Sequence, residues 1–161
     1  MIKLLVKNVS NIRGMYSKKD LERILSKIES GEKLDNEEGV ISLILCGDVI
    51  ISELNKRYRG KNTPTDVLSF PVPREFPQTD EKKLLGEVYI SLETVLNRNA
   101  GDSKKAKAEV RLLFCHGVLH LLGYTHDNYV GRKVMMEKQS NYLGIPISEA
   151  WIKYSKNSQR K

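Results

Sequence analysis

All three histidines of this chain, His116, His120 and His126, fall within the eleven-residue run HGVLHLLGYTH. Neutral imidazole is the commonest side-chain ligand for divalent metals near neutral pH. Three nitrogen ligands that leave a further coordination position open are the donor set of a catalytic zinc ion. Nickel or another divalent ion also accepts such a set, but the nitrogens favour zinc, one ion per chain. A single histidine on an apolar helix is more often a core residue. Three together, with none elsewhere, point to a metal.

His116 and His120 are four residues apart, so on a helix they share a face and stand one turn apart. From Leu112 to Leu122 the residues are apolar nearly all round, which predicts a buried helix. Gly123 can adopt the left-handed conformation that ends a helix. Tyr124 and Thr125 then make the turn that brings His126 back as third ligand. Cys115 lies about 100° round the helix from His116 and is not counted as a ligand. The same H-x-x-x-H-x-x-G-x-x-H spacing occurs in metzincin proteases, which carry a glutamate after the first histidine as general base. Here that position is Gly117, which has no proton-accepting group. Met135 and Met136 downstream read as helix core, not as a metzincin Met-turn. Asp127 reads as a solvated turn residue, with a hydrogen bond to the last ligand as the alternative.

The second chemical run is LNKRYRGKNTPTDVLSFP, Leu54 to Pro71. Arg57, Arg59 and Lys61 alternate through a helix end and turn, with Tyr58 among them. Guanidinium binds phosphate bidentately, and an arginine beside a metal can hold a phosphodiester and offset its developing charge. A solvated basic loop is the plain alternative.

Around these runs the pattern predicts an α+β fold in a single domain: a small four-stranded mixed sheet packed with about five helices. Ile2 to Val6 reads as a strand. Ser17 caps a helix carrying Leu21, Ile24, Leu25 and Ile28, which Gly31 stops. Val40 to Cys46 is a buried strand. Asp48 caps a second helix carrying Ile51, Leu54 and Tyr58. Val67 to Phe70 and Gly86 to Ser91 are strands. Pro71 to Lys83 is a long loop, read as a lid, a rim or an insertion. Ser91 caps a short helix to about Arg98. Lys104 to Leu122 is the main helix, and Gly131 to Leu143 the last one. The domain is expected to span 1–152, with a basic, flexible tail over 153–161.

Bulk properties narrow the partners. At 161 residues the chain is long enough to bury a core. A formal net charge of +7 favours a polyanionic partner. Two distant cysteines, Cys46 and Cys115, make neither a disulfide framework nor a metal knuckle and read as small buried hydrophobes. Neither a signal peptide nor a span long enough for a bilayer is visible, so the expected location is the cytoplasm.

Together the two runs resemble the YbeY family of bacterial rRNA-maturation endoribonucleases. HGVLHLLGYTHDN is similar to that family's H-G-x-L-H-L-x-G-Y-D-H signature. The Leu54–Pro71 run is similar to its L-N-x-x-Y-R-x-K-[DN]-x-P-T-D-V-L-S-F-P segment, and GEVYIS to one of its strands. Thr125 departs from the pattern, where the family usually has aspartate. The resemblance implies a zinc-dependent endoribonuclease acting on single-stranded RNA in 3′-end maturation of small-subunit (16S) rRNA and in ribosome quality control. It implies that His116, His120 and His126 hold zinc and that Arg59 is the catalytic arginine. Arg57, Tyr58 and Lys61 are candidate RNA contacts. The expected partners are single-stranded RNA, ribosomal RNA and the small ribosomal subunit, with no membrane and no DNA. The competing readings are a metzincin-like peptidase and a non-enzymatic assembly factor with a structural zinc. For the proton acceptor, Asp127, Glu87, a water activated at the metal and the RNA 2′-hydroxyl all stay open.

Overall fold

In the computed structural model, residues 1–73 and 83–151 are described. Among these described residues there are ten elements. They are β1 (Ile2–Asn8), α1 (Lys18–Gly31), β2 (Gly39–Cys46), α2 (Asp48–Arg59), β3 (Val67–Pro71), β4 (Leu84–Ser91), α3 (Leu92–Arg98), α4 (Ser103–Leu121), α5 (Tyr129–Leu143) and a 3₁₀ turn (Ile147–Glu149). The four strands form one mixed sheet in the order β1-β2-β4-β3. β1, β2 and β4 run parallel, and β3 pairs antiparallel to β4 at the edge. The expected α+β architecture is therefore what the chain adopts. The proposed tail, and most of the loop between Pro71 and Lys83, lie outside the described residues.

Strand alternation sorts the sheet into two faces. Ile2, Leu4, Ile41, Leu43, Leu45, Val88 and Ile90 point into the main core, against Leu21, Ile24, Leu25 and Ile28 of α1 and the apolar body of α4. On the other face Cys46, Ile51 and Leu68 form a smaller cluster under α2, joined by Leu54, Phe70 and Tyr89. Helix α4 runs through the main core. Every residue from Leu112 to Leu119 is buried, as its all-round apolar composition predicts. Each such aliphatic side chain contributes about 1.5–3 kcal/mol by leaving water.

Three local expectations change on contact with the structure. Gly31 does not stop α1 through a left-handed turn. Its φ is not positive, and Lys33 takes the left-handed conformation instead, at φ 58°. Gly31 is needed for space, because a Cβ there would lie 2.5 Å from the Tyr142 ring of α5. Asp48 is not the cap of α2; Gly47 is, and Asp48 is the first helical residue. The Asp48 carboxylate instead accepts hydrogen bonds from Ser91 Oγ (2.7 Å) and Thr94 Oγ1 (2.5 Å), tying the start of α2 to the start of α3. α5 begins two residues before Gly131, with Asn128 capping it through a bond from the Gly131 N–H.

Both cysteines are free and buried, as expected. Burial pushes each thiol up to about 12, with the Asp48 charge adding to the effect at Cys46. Iodoacetamide at pH 8 is therefore expected to label neither cysteine in the native protein and both after denaturation. Mass spectrometry reads the result, and rapid native labelling of either thiol would contradict its place in the core. Among the described residues no helix is long and apolar enough to cross a membrane.

Candidate metal centre

Helix α4 presents His116 and His120 on one face, and the chain then turns back. The Gly123 N–H donates to the His120 carbonyl, and Gly123 itself takes φ 97°, the conformation that favours glycine. The Tyr124 N–H reaches back to Leu119 O at 3.1 Å. This exit returns His126 beside the other two imidazoles. One ring nitrogen from each of the three histidines lies within 4.8 Å of the others. The three ligands read from spacing therefore converge in space.

Hydrogen bonds to the outer ring nitrogens decide which way the lone pairs face. His120 Nδ1 is 2.8 Å from the Tyr124 carbonyl, which can only accept. His116 Nδ1 is 2.8 Å from Gln139 Oε1, while Gln139 Nε2 donates to the Ala150 carbonyl. That second bond orients the amide, so its oxygen faces His116. Both Nδ1 atoms thus carry the proton, and both Nε2 atoms offer lone pairs. These two Nε2 atoms are 2.9 Å apart.

An imidazolium could bridge them, but the surroundings oppose the extra charge. Burial pushes His116 down to about 3; the neighbouring His120 and His126 deepen the fall, and the Gln139 bond resists it. His120 is lowered as well, by burial first, with His126 and Arg59 adding to the fall against the Tyr124 carbonyl and Asp127. Two neutral ring nitrogens this close together, with His126 beside them, are a group that could hold a cation. Tetrahedral zinc with nitrogens at about 2.0–2.1 Å would hold them about 3.3 Å apart, close to the separation here. The residues present therefore fit a divalent metal held by three nitrogens.

Sequence reasoning missed the supports of this site. Gln139 is fully buried on α5, and its signal was a polar residue one turn after Met135 on the apolar stripe. Trp151 packs edge-on against His116 (5.8 Å between centroids) and His126 (5.5 Å), which closes one side. The glutamate position of a metzincin is not merely vacant. A Cβ on Gly117 would sit 2.6 Å from Val88 Cγ1 and 3.2 Å from Ser69 Oγ, because α4 lies directly on β3 and β4 there. A peptidase base has no room at that position. Met135 is core, as expected.

The basic run ends α2 beside the triad. Gly60 takes φ 68°, and its N–H and that of Lys61 satisfy the last carbonyls of α2. Buried Asn55 donates from Nδ2 to Thr63 O at 2.9 Å, which pins the following loop. Arg57, Arg59 and Lys61 are exposed and, among the described residues, make no salt bridge. Cations also suit a helix C-terminus, so their position has an electrostatic reason independent of any ligand. Arg59 is close enough for its charge to act on His120. Tyr58 is 60% exposed but already leans on Phe70 at 4.9 Å, leaving one ring face open.

Of the carboxylates considered as proton acceptors, Glu87 faces away. Its neighbour Val88 packs on Gly117, so Glu87 points to the opposite side of the sheet, where the Tyr89 hydroxyl lies 3.4 Å from it. Asp127 is next to His126, and its charge reaches His120.

Comparison with known proteins bears on what such a site does. The family described as Endoribonuclease YbeY matches residues 6–145. A Pelotomaculum thermopropionicum protein of that name is 38% identical over 144 residues, covering 84% of this chain and 93% of its own length. A Moorella thermoacetica protein of the same name is 40% identical over 130 residues, covering 76% and 82%. The solution structure of a Thermotoga maritima protein superposes with a TM-score of 0.50 at 31% identity, covering 89% of this chain and 87% of that one.

Proposed function

This chain belongs to the endoribonuclease YbeY family, and from that premise we propose that it is a zinc-dependent endoribonuclease that cuts single-stranded RNA. The observation that carries the metal-dependent reading is the pair of Nε2 lone pairs, 2.9 Å apart, with both Nδ1 protons held elsewhere. In this reading His116, His120 and His126 hold the ion. A bound divalent metal supplies Lewis acidity toward a phosphoryl oxygen. Arg59 binds the same phosphate and offsets the negative charge that grows on it. Arg57 and Lys61 follow the RNA backbone, and the open face of Tyr58 stacks on a base. Gly117 provides no base. The proton acceptor is read from the products. A 2′,3′-cyclic phosphate end assigns the nucleophile to the RNA 2′-hydroxyl. A 5′-phosphate assigns it to water, with Asp127 the carboxylate at hand.

The biological substrate in this reading is small-subunit rRNA. The enzyme matures the 16S 3′ end and serves ribosome quality control in the cytoplasm, with the small subunit as partner. The net charge of +7 suits that polyanion. The test is cleavage of a single-stranded RNA by purified wild type and Arg59→Ala. The variant is expected to lose about 10²–10³-fold in rate, the usual cost of deleting one charge-stabilising donor. Arg59 is exposed, so the variant should fold normally. Cleavage by Arg59→Ala at the wild-type rate would remove arginine from the mechanism.

A further inference from the structure

Glu32 begins the acidic loop after α1, far in sequence from the histidines, yet its carboxylate reaches their supports. The Tyr124 hydroxyl donates to Oε2 at 2.6 Å. The Tyr142 hydroxyl and Lys138 Nζ donate to Oε1, at 2.5 and 2.7 Å. Lys138 also lies 4.9 Å over the Tyr124 ring. A carboxylate with only 12% of its side chain exposed thus gathers an ammonium and two phenols. Helix capping does not account for this, because the Glu32 backbone N–H already caps α1 at Ile28 O.

The two sides of this knot lead to the two ordered ligands. Tyr124 is the residue whose carbonyl orients His120. Lys138 precedes Gln139, whose Oε1 orients His116. One carboxylate therefore braces both acceptors that set the Nδ1 protons and aim the Nε2 lone pairs.

We propose that Glu32 is a positioning residue for the metal centre, setting metal affinity by holding the Tyr124 turn and helix α5 at a fixed separation. It touches neither metal nor substrate. The proposal rests on the metal reading of the triad. Partners behind metal-binding histidines commonly change affinity by about 10–100-fold when removed.

The experiment measures Zn²⁺ affinity of the full chain by competition with a chromophoric chelator, together with the visible spectrum of the Co²⁺-loaded protein. The variants are Glu32→Gln, Tyr124→Phe and Asp20→Asn. Asp20→Asn removes the charge from the 2.8 Å ion pair with Arg111 that ties α1 to α4 by a route outside the site, so it reports loss of stability alone. Glu32→Gln and Tyr124→Phe are expected to weaken Zn²⁺ binding about tenfold and to alter the Co²⁺ bands, with Asp20→Asn changing neither. Tyr124→Phe carries the test if Glu32→Gln does not fold. The proposal is overturned if both variants keep wild-type affinity and spectrum, or if Asp20→Asn weakens binding as much as they do. Wild-type protein that takes up no metal would remove the metal reading, and the proposal with it. Wild type that binds, with matching variants, would remove the proposal alone.

Discussion

Replacing His120 with alanine is expected to abolish stoichiometric metal and to lower RNA cleavage by on the order of 10³-fold or more, about 4 kcal/mol in the barrier. Two nitrogens are left after the change, one of them in the turn beyond Gly123, and two ligands do not make the three-nitrogen site of a catalytic ion. His120 is the preferred position for this test because it is only partly buried, whereas His116 is 2% exposed. Removing His116 would also strand the oxygen of buried Gln139 and open a void against Trp151, so lost folding would mix with lost metal. Metal content by mass spectrometry, cleavage rate and thermal melting separate the effects. Chelator treatment of the wild type should reproduce the loss, and added Zn²⁺ should reverse it. A His120→Ala protein that is metal-free yet cuts RNA at the wild-type rate would end the metal-dependent reading.

Installing the missing peptidase base is expected to unfold the protein. Gly117→Glu places a Cβ 2.6 Å from Val88 Cγ1 and a carboxylate between α4 and the sheet. Overpacking and an unpaired buried charge together should cost more than about 4 kcal/mol, beyond the range of ordinary substitutions. Gly117→Ala is the graded control. Its overpacking of about 1–3 kcal/mol is partly offset by about 1 kcal/mol of better helix propensity, so it should fold with reduced stability. Urea unfolding measures both. A stable Gly117→Glu protein would show that α4 can lift from β4, and peptide hydrolysis by it would reopen the protease reading. Gly117 thus separates this site from a metzincin by packing as well as by chemistry.

The sequence by itself determined the three histidines and the way they converge. A four-residue spacing puts His116 and His120 on one helical face. Gly123 provides the left-handed exit that returns His126. Both are local rules, settled by helical pitch and by one glycine's φ, so they are legible without a fold. The same holds for the strands, the Ser17 and Ser91 caps and the basic end of α2. Position along the chain marks Gly31 as a helix stop and Gly117 as a missing base, but neither as a residue kept small by a neighbouring element. Gly31 and Gly117 are small because another element presses on them, Tyr142 in one case and Val88 in the other. Only the tertiary structure decided what orients these imidazoles. Gln139 lies 23 residues beyond His116, and Glu32 lies 92 residues before Tyr124. Their side chains meet the site because α5 and the end of α1 pack together beside α4. Such contacts depend on which faces the whole core buries, and no spacing along one element encodes that.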